Sequence, residues 1–226
     1  VLVLLNSPNN PSGAVYPRGD LEVLTAMLKR RERELGHPIY LLADEPYREL
    51  VYGGAEVPFL PALYPDTLYC YSFSKSLSIP GERVGFLAFH PEMAERDRLF
   101  DAVQGAMRMT GYLCVSPLFR LAAAECLGVT ADISVYERNR DLICSGLREL
   151  GYRFPEPRGA FYLLLQAPEG DGQAFSRRCM AEDVLLVPGE EFFCPGYVRL
   201  AYCVPEERLR RSLPAFRCIA ESCGIL

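Results

Sequence analysis

The sequence predicts an α/β protein with a mainly parallel sheet, followed by a smaller α/β domain. Short apolar runs at residues 2–5, 39–43 and 67–72 each have the length and composition of a buried strand, and helical patterns separate them. Beyond residue 150 the runs shorten but still alternate with helices. The expected organisation is therefore a large domain over 1–150 and a small C-terminal domain over 151–226.

The elements follow in order. Residues 20–35 place Leu21, Leu24, Leu28 and Leu35 at helical intervals, and Gly36 with Pro38 ends the helix. Strands are expected at 39–43, 67–72 and 84–89, with Gly53, Gly54 and several prolines marking a long surface loop between the first two. Helical patterns cover 91–107, 117–126 and 132–150, the last stopped by Gly151. Strands at 162–165, 184–187 and 198–202 then alternate with helices at 173–181 and 205–222.

Composition narrows the function classes. The 226 residues are half apolar and 23% charged, enough for a substantial core, and the net charge of −5 argues against a nucleic-acid surface. Lys29 to Glu34 alternates in sign and reads as a solvated helix face. No apolar run reaches membrane-spanning length, and residues 1–5 lack the flanks of a signal peptide, so a cytoplasmic enzyme without a membrane partner is expected. The nine cysteines lie mostly inside apolar patterns rather than in CxxC pairs or at metal-ligand spacing, which suits reduced thiols and no metal site. His37 and His90 sit beside prolines in loops, and no GxSxG turn offers hydrolase chemistry.

The most specific chemistry lies in YSFSKSLSIPGERVG, residues 71–85. Lys75 supplies an amine able to form a Schiff base with a carbonyl. Around it, Ser72, Ser74 and Arg83 supply hydroxyls and a planar cationic fork suited to a phosphate dianion. Pyridoxal 5′-phosphate carries both groups. Two further apolar runs end in polar residues at their carboxyl ends, where open α/β sheets bind ligands. One is IYLLAD running into Glu45, Pro46 and Tyr47; the other is residues 2–5 running into NSPNNPSG.

With these segments the chain resembles the fold-type I pyridoxal phosphate enzymes, and among them the class I/II aminotransferases related to aspartate aminotransferase. The resemblance rests on NNPSG (9–13), DEPY (44–47), SFSK with GERVG (72–85), GAFYL (159–163), and VPGEEF with GYVRLAY (187–202), so it runs nearly end to end. It implies part of the type I transferase fold, with the pyridoxal phosphate-binding domain over 1–150. Lys75 would bind the cofactor's aldehyde and then shuttle the substrate's Cα proton. Asp44 would pair with the pyridine nitrogen, keeping the ring an electron sink. Asn10 and Tyr47 would donate to the ring's phenolic oxygen, and Ser72, Ser74 and Arg83 would hold the phosphate. Arg199, with Asn10 beside it, would bind the substrate's α-carboxylate through two parallel bonds. A cis peptide between Asn10 and Pro11 is also expected from the family.

The same resemblance implies an amino acid and a 2-oxo acid as substrates and a homodimer for the full-length protein. Because 1–5 reads as a sheet strand already in progress, the chain matches the later part of the family, and an N-terminal portion completing the cofactor cage is expected before it. This chain alone is accordingly expected to retain the cofactor weakly. Other outcomes on the same cofactor, such as β-elimination, stay open, as do a non-catalytic aminotransferase-like sensor and an inactive fragment. Arg108, in MRMTGY, reads as a solvated arginine at a helix end.

Overall fold

The protein is described by a computed structural model over residues 1–112 and 114–226. Its chain forms two compact units. The first comprises Val1–Pro8, Tyr16–Glu49 and Glu56–Ala131; the second comprises Asn9–Val15, Leu50–Ala55 and Asp132–Leu226.

In the first unit, β1 (Leu2–Asn6), β2 (Tyr40–Asp44), β3 (Thr67–Ser72) and β4 (Gly85–Phe89) form one sheet in that order. The pairs β1/β2 and β2/β3 are parallel, while β4 runs antiparallel along β3. Between β3 and β4 the chain forms one short helix, Phe73–Ser76, and a turn at Pro80–Glu82, and then returns along β3 in the opposite direction. Helix α1 (Arg18–Leu35) buries Leu21, Thr25 and Leu28. It ends at Gly36, whose φ of 71° lets its N–H reach back to the Glu32 carbonyl. Leu41 and Ala43 of β2 are fully buried, and the core continues through Leu60, Tyr64, Tyr69, Tyr71 and Phe73.

Two short helices escape the sequence patterns: α2 (Leu60–Leu63) within the expected loop, and α3 (Phe73–Ser76), which carries Lys75. Neither is long enough to show a periodic face. Next along the chain, α4 (Arg96–Met109) starts five residues later than expected. The intervening residues turn, with Met93 N–H bonded to His90 O and Glu95 at a φ of 50°. Helix α5 (Pro117–Glu125) follows.

The second unit holds α6 (Ile133–Glu149), β5 (Tyr162–Gln166), α7 (Gly172–Ala181), β6 (Val187–Pro188), β7 (Tyr197–Ala201) and α8 (Glu206–Ser222). Its strands form an antiparallel sheet in the order β5-β7-β6. Of the strand expected at 184–187 only Val187 is in a strand, β6, which ends at Pro188. Although the domain change was expected after residue 150, α6 falls in the second unit. Ile143, Cys144 and Leu147 make up its buried face, and the buried Asn139 amide donates to Tyr202 O at 2.9 Å and Val204 O at 2.7 Å. Those bonds tie the helix to the end of β7. Residues 9–15 are drawn in similarly: Gly13 O accepts from Arg158 N–H and Gly159 N–H. At a φ of +70°, with Pro157 Cβ only 2.5 Å from where a Cβ would stand, position 13 admits only glycine without strain.

In the first unit, a Cβ at Gly85 would lie 2.5 Å from Tyr71 O and 3.3 Å from Ser72 Cα. Gly85 therefore lets β4 start flush against the end of β3. Gly85→Ala is expected to cost roughly 1–3 kcal/mol by overpacking, measured as a lower urea midpoint; an unchanged midpoint would contradict this packing.

Candidate functional site

The first unit gathers one set of polar groups at the carboxyl ends of neighbouring strands. Asp44 ends β2 and is in register with Cys70 of β3; Ser72 ends β3, and Lys75 follows on α3. Adjacent strands lie about 4.8 Å apart, so the pairing brings the turn after Asp44 beside the helix bearing Lys75. Across that gap, Lys75 Nζ stands 5.9 Å from the centroid of the Tyr47 ring. Tyr47 is itself buried, which makes the ring a fixed wall.

Asp44 is half-buried, and one of its carboxylate oxygens accepts from Asn6 Nδ2 at 3.1 Å, while the same amide donates to Asp44 O at 2.9 Å. Desolvation raises its carboxyl above the usual range, and the Asn6 bond offsets only part of that. Such a carboxylate is suited to a cationic partner, which would relieve the cost of its charge. Ser72 Oγ caps α3 by accepting from Ser74 N–H at 3.2 Å, and the two hydroxyls lie 2.8 Å apart. Arg83 occupies the turn two residues before Gly85, the partner of Ser72 in the ladder. With a φ of 56°, its guanidinium donates to Pro80 O at 2.9 Å. The backbone thus brings Arg83 to the serine end of the sheet, but its side chain is directed into its own turn.

In the second unit, Arg199 of β7 donates from Nη1 to Asn10 Oδ1 at 3.0 Å. The guanidinium carbon lies 4.6 Å from the ring centroids of both Tyr162 and Phe192. Arg199 is therefore held between two aromatic faces, a cation–π arrangement that fixes the plane of its fork. Its Nε is buried without a hydrogen-bond partner among the described residues. An orphaned donor on a clamped guanidinium suits a planar carboxylate. The Asn10–Pro11 peptide is cis, and so is Ser7–Pro8.

The structure thus assembles Asp44, Tyr47, Ser72, Ser74 and Lys75 at one sheet end in the first unit. It pairs Arg199 with Asn10 in the second. Sequence reasoning missed Asn6, which orients the Asp44 carboxylate, and the two rings that clamp Arg199. Asn6 stands at the end of β1 in register with Asp44, information that exists only once β1 and β2 are paired. Tyr162 and Phe192 lie within GAFYL and VPGEEF, yet only the antiparallel β5/β7 pairing and the turn after β6 bring them to Arg199.

The donor set fits pyridoxal phosphate. An amine stands near an aromatic wall, a desolvated carboxylate matches a ring nitrogen, and paired hydroxyls with a nearby arginine match a phosphate. When bound, this cofactor supplies an aldehyde for amines and a ring that withdraws electrons from the substrate's Cα.

Comparison with known proteins gives the same affiliation. The family model described as aminotransferase class I and II matches residues 1–216. An aspartate aminotransferase of Thermotoga maritima is 35% identical, covering 93% of this chain and 54% of its own length. Aromatic-amino-acid aminotransferase 2 of Thermococcus litoralis is 30% identical, covering 93% and 55%. Among solved structures, an amino transferase from Eubacterium rectale aligns with a TM-score of 0.94 at 46% identity, covering 98% of this chain and 56% of that one. A mutant of Thermus thermophilus aspartate aminotransferase aligns with a TM-score of 0.82 at 30% identity, covering 96% and 56%. The chain spans about half the length of the curated relatives it matches. With the motifs, the sheet and the end-to-end match in agreement, the chain belongs to the class I and II aminotransferase family.

Proposed function

We propose that the protein is an aminotransferase that passes the amino group of an α-amino acid to a 2-oxo acid using pyridoxal 5′-phosphate. The observation that carries this reading is the juxtaposition of Lys75 and the desolvated Asp44 at the carboxyl ends of neighbouring strands. With the cofactor bound, Lys75 would be the amine that holds its aldehyde, and Nζ would be the group that carries the proton removed from the substrate's Cα. Asp44 would pair with the ring nitrogen and favour its charged form, since a desolvated carboxylate gains from a cationic partner. Tyr47, whose ring lies near Lys75 Nζ, would donate from its hydroxyl to the ring oxygen. Ser72, Ser74 and Arg83 bind the phosphate; for Arg83 this requires its side chain to leave Pro80 O.

Arg199 binds the substrate's α-carboxylate with Asn10 at its side, and the Tyr162/Phe192 clamp fixes the angle at which that carboxylate is presented. A fixed carboxylate orients the Cα–H bond for removal. The relatives' names cover aspartate and aromatic amino acids, which supports α-amino acids as the substrate class. Among the described residues, no helix is long and apolar enough to cross a membrane, and we place the protein in the cytoplasm as a homodimer.

The test of this function is a half-reaction: the cofactor-loaded intact protein, mixed with an amino acid, should release one equivalent of the matching 2-oxo acid and consume a second 2-oxo acid on recycling. Release of ammonia with no demand for a second oxo acid would instead assign a lyase. Lys75→Ala is expected to lower turnover by roughly 10⁴-fold or more, because both the nucleophile and the proton carrier are lost.

Arg199→Lys keeps the charge but loses the planar fork, and should lower kcat/KM for amino acids roughly 10- to 100-fold. Steady-state kinetics at saturating cofactor would show it; equal kcat/KM would remove Arg199 from the carboxylate site.

For Asp44, the raised carboxyl fixes the sign of the pH effect. A group whose folded pKa lies above its unfolded value favours folding at low pH, and that contribution is lost as pH rises through its range. Without cofactor, Asp44→Asn should therefore melt higher than wild type at pH 7, with the difference fading below about pH 3, while its turnover with cofactor falls. A cofactor-free variant melting lower than wild type at pH 7 would contradict the desolvation argument.

A further inference from the structure

Lys75 rides on a single helical turn, and a turn that short does not hold itself in water. Its placement must come from tertiary bonds. One is the cap from Ser72, and another is Ala131 N–H to Ser76 O at 2.7 Å. A third involves a residue that no proposed catalytic step uses. The Tyr71 hydroxyl donates to Glu49 Oε1 at 2.8 Å and accepts from Ser76 Oγ at 2.9 Å.

Several features make this contact more than core packing. Tyr71 projects from the face of β3 opposite Ser72, by strand alternation. Its ring is fixed by Phe73 at 5.2 Å, Phe86 at 5.3 Å and Tyr69 at 6.3 Å. Ser76 is 2% exposed and adjoins Lys75. Glu49 closes the turn that begins after Asp44 and contains Tyr47. One buried hydroxyl thus joins the segment carrying Asp44 and Tyr47 to the segment carrying Lys75, from the side of the sheet away from Ser72.

We propose that Tyr71, with Glu49 and Ser76, is a positioning clamp that sets Lys75 against the 44–49 turn. The clamp is a property of the fold; its catalytic consequence rests on the function proposed above. An attacking amine displaced by about 1 Å loses on the order of 100-fold in rate, which is the scale on which such a clamp acts. Tyr71→Phe keeps the ring and its packing while removing the bond to both partners. Glu49→Gln keeps an oxygen acceptor for the hydroxyl, whereas Glu49→Ala removes it.

Two readouts on the intact protein separate the clamp from its consequence. In cofactor-free protein, hydrogen exchange of the amides of residues 73–78 should quicken about 10-fold or more in Tyr71→Phe, Ser76→Ala and Glu49→Ala, with β2 unchanged and Glu49→Gln close to wild type. Wild-type exchange in all three variants would overturn the clamp. With cofactor, Tyr71→Phe should shift the pH midpoint of the visible Lys75-adduct band by about half a unit or more, and lower kcat about 10- to 100-fold with KM little changed. Faster exchange with an unmoved band and kcat would leave a clamp without catalytic effect and overturn the positioning role. A wild-type protein that forms no adduct on Lys75 sinks the functional reading instead, while amide exchange still decides the clamp.

Discussion

Everything proposed for the first unit depends on the register of β2 against β3. Pairing Asp44 with Cys70 puts the ends of two parallel strands level, so the turn after one and the helix after the other begin side by side. A slip of one residue would turn every side chain on the strand to the opposite face and separate Asp44 from Lys75. The register is held from both flanks. On one side Asn6 of β1 is level with Asp44 and bonds to its carbonyl and carboxylate. On the other, β4 approaches so closely at Gly85 that no side chain fits. Buried Leu41 and Ala43 fix the inward face.

The two units apply one electrostatic strategy to opposite charges. Asp44 is kept half out of water with a neutral amide as its partner, so its charge is expensive until a cation arrives. Arg199 is stacked between two rings and bonded to a neutral amide oxygen, with Nε left over. Neither is neutralised by an ion pair among the described residues. Surface carboxylates and arginines, by contrast, pair freely, as Arg210 does with Glu206 and Arg178 with Glu169. Groups held without counter-ions in partly buried positions suit the binding roles proposed for them, because the protein bears their desolvation before a ligand arrives.

Much of this was legible in the sequence. Strand β3 matched its apolar run to the residue, and α6, α7 and α8 followed helical periodicity and their stop signals to within a residue or two. Lys75, Asp44 and Arg199 stood out because each falls in a dense local motif. What could not be read depends on tertiary register. The antiparallel turn of β4, the one-turn α3 and the grouping of residues 9–15 and 50–55 with the C-terminal half leave no periodic trace. Asn6, Tyr162 and Phe192 gain meaning only through the partners that pairing gives them, and Arg83 shows the converse: a motif residue whose backbone is in place while its side chain turns aside.

The proposed chemistry turns on Lys75 as the amine that would receive the cofactor. The most direct measurement is to incubate the intact protein with pyridoxal 5′-phosphate, reduce with borohydride, digest, and map the modified lysine by mass spectrometry. A single reduced adduct on Lys75 is expected. Modification confined to Lys29, an exposed residue within α1 that donates to Leu63 O, or no adduct at all, would overturn that assignment.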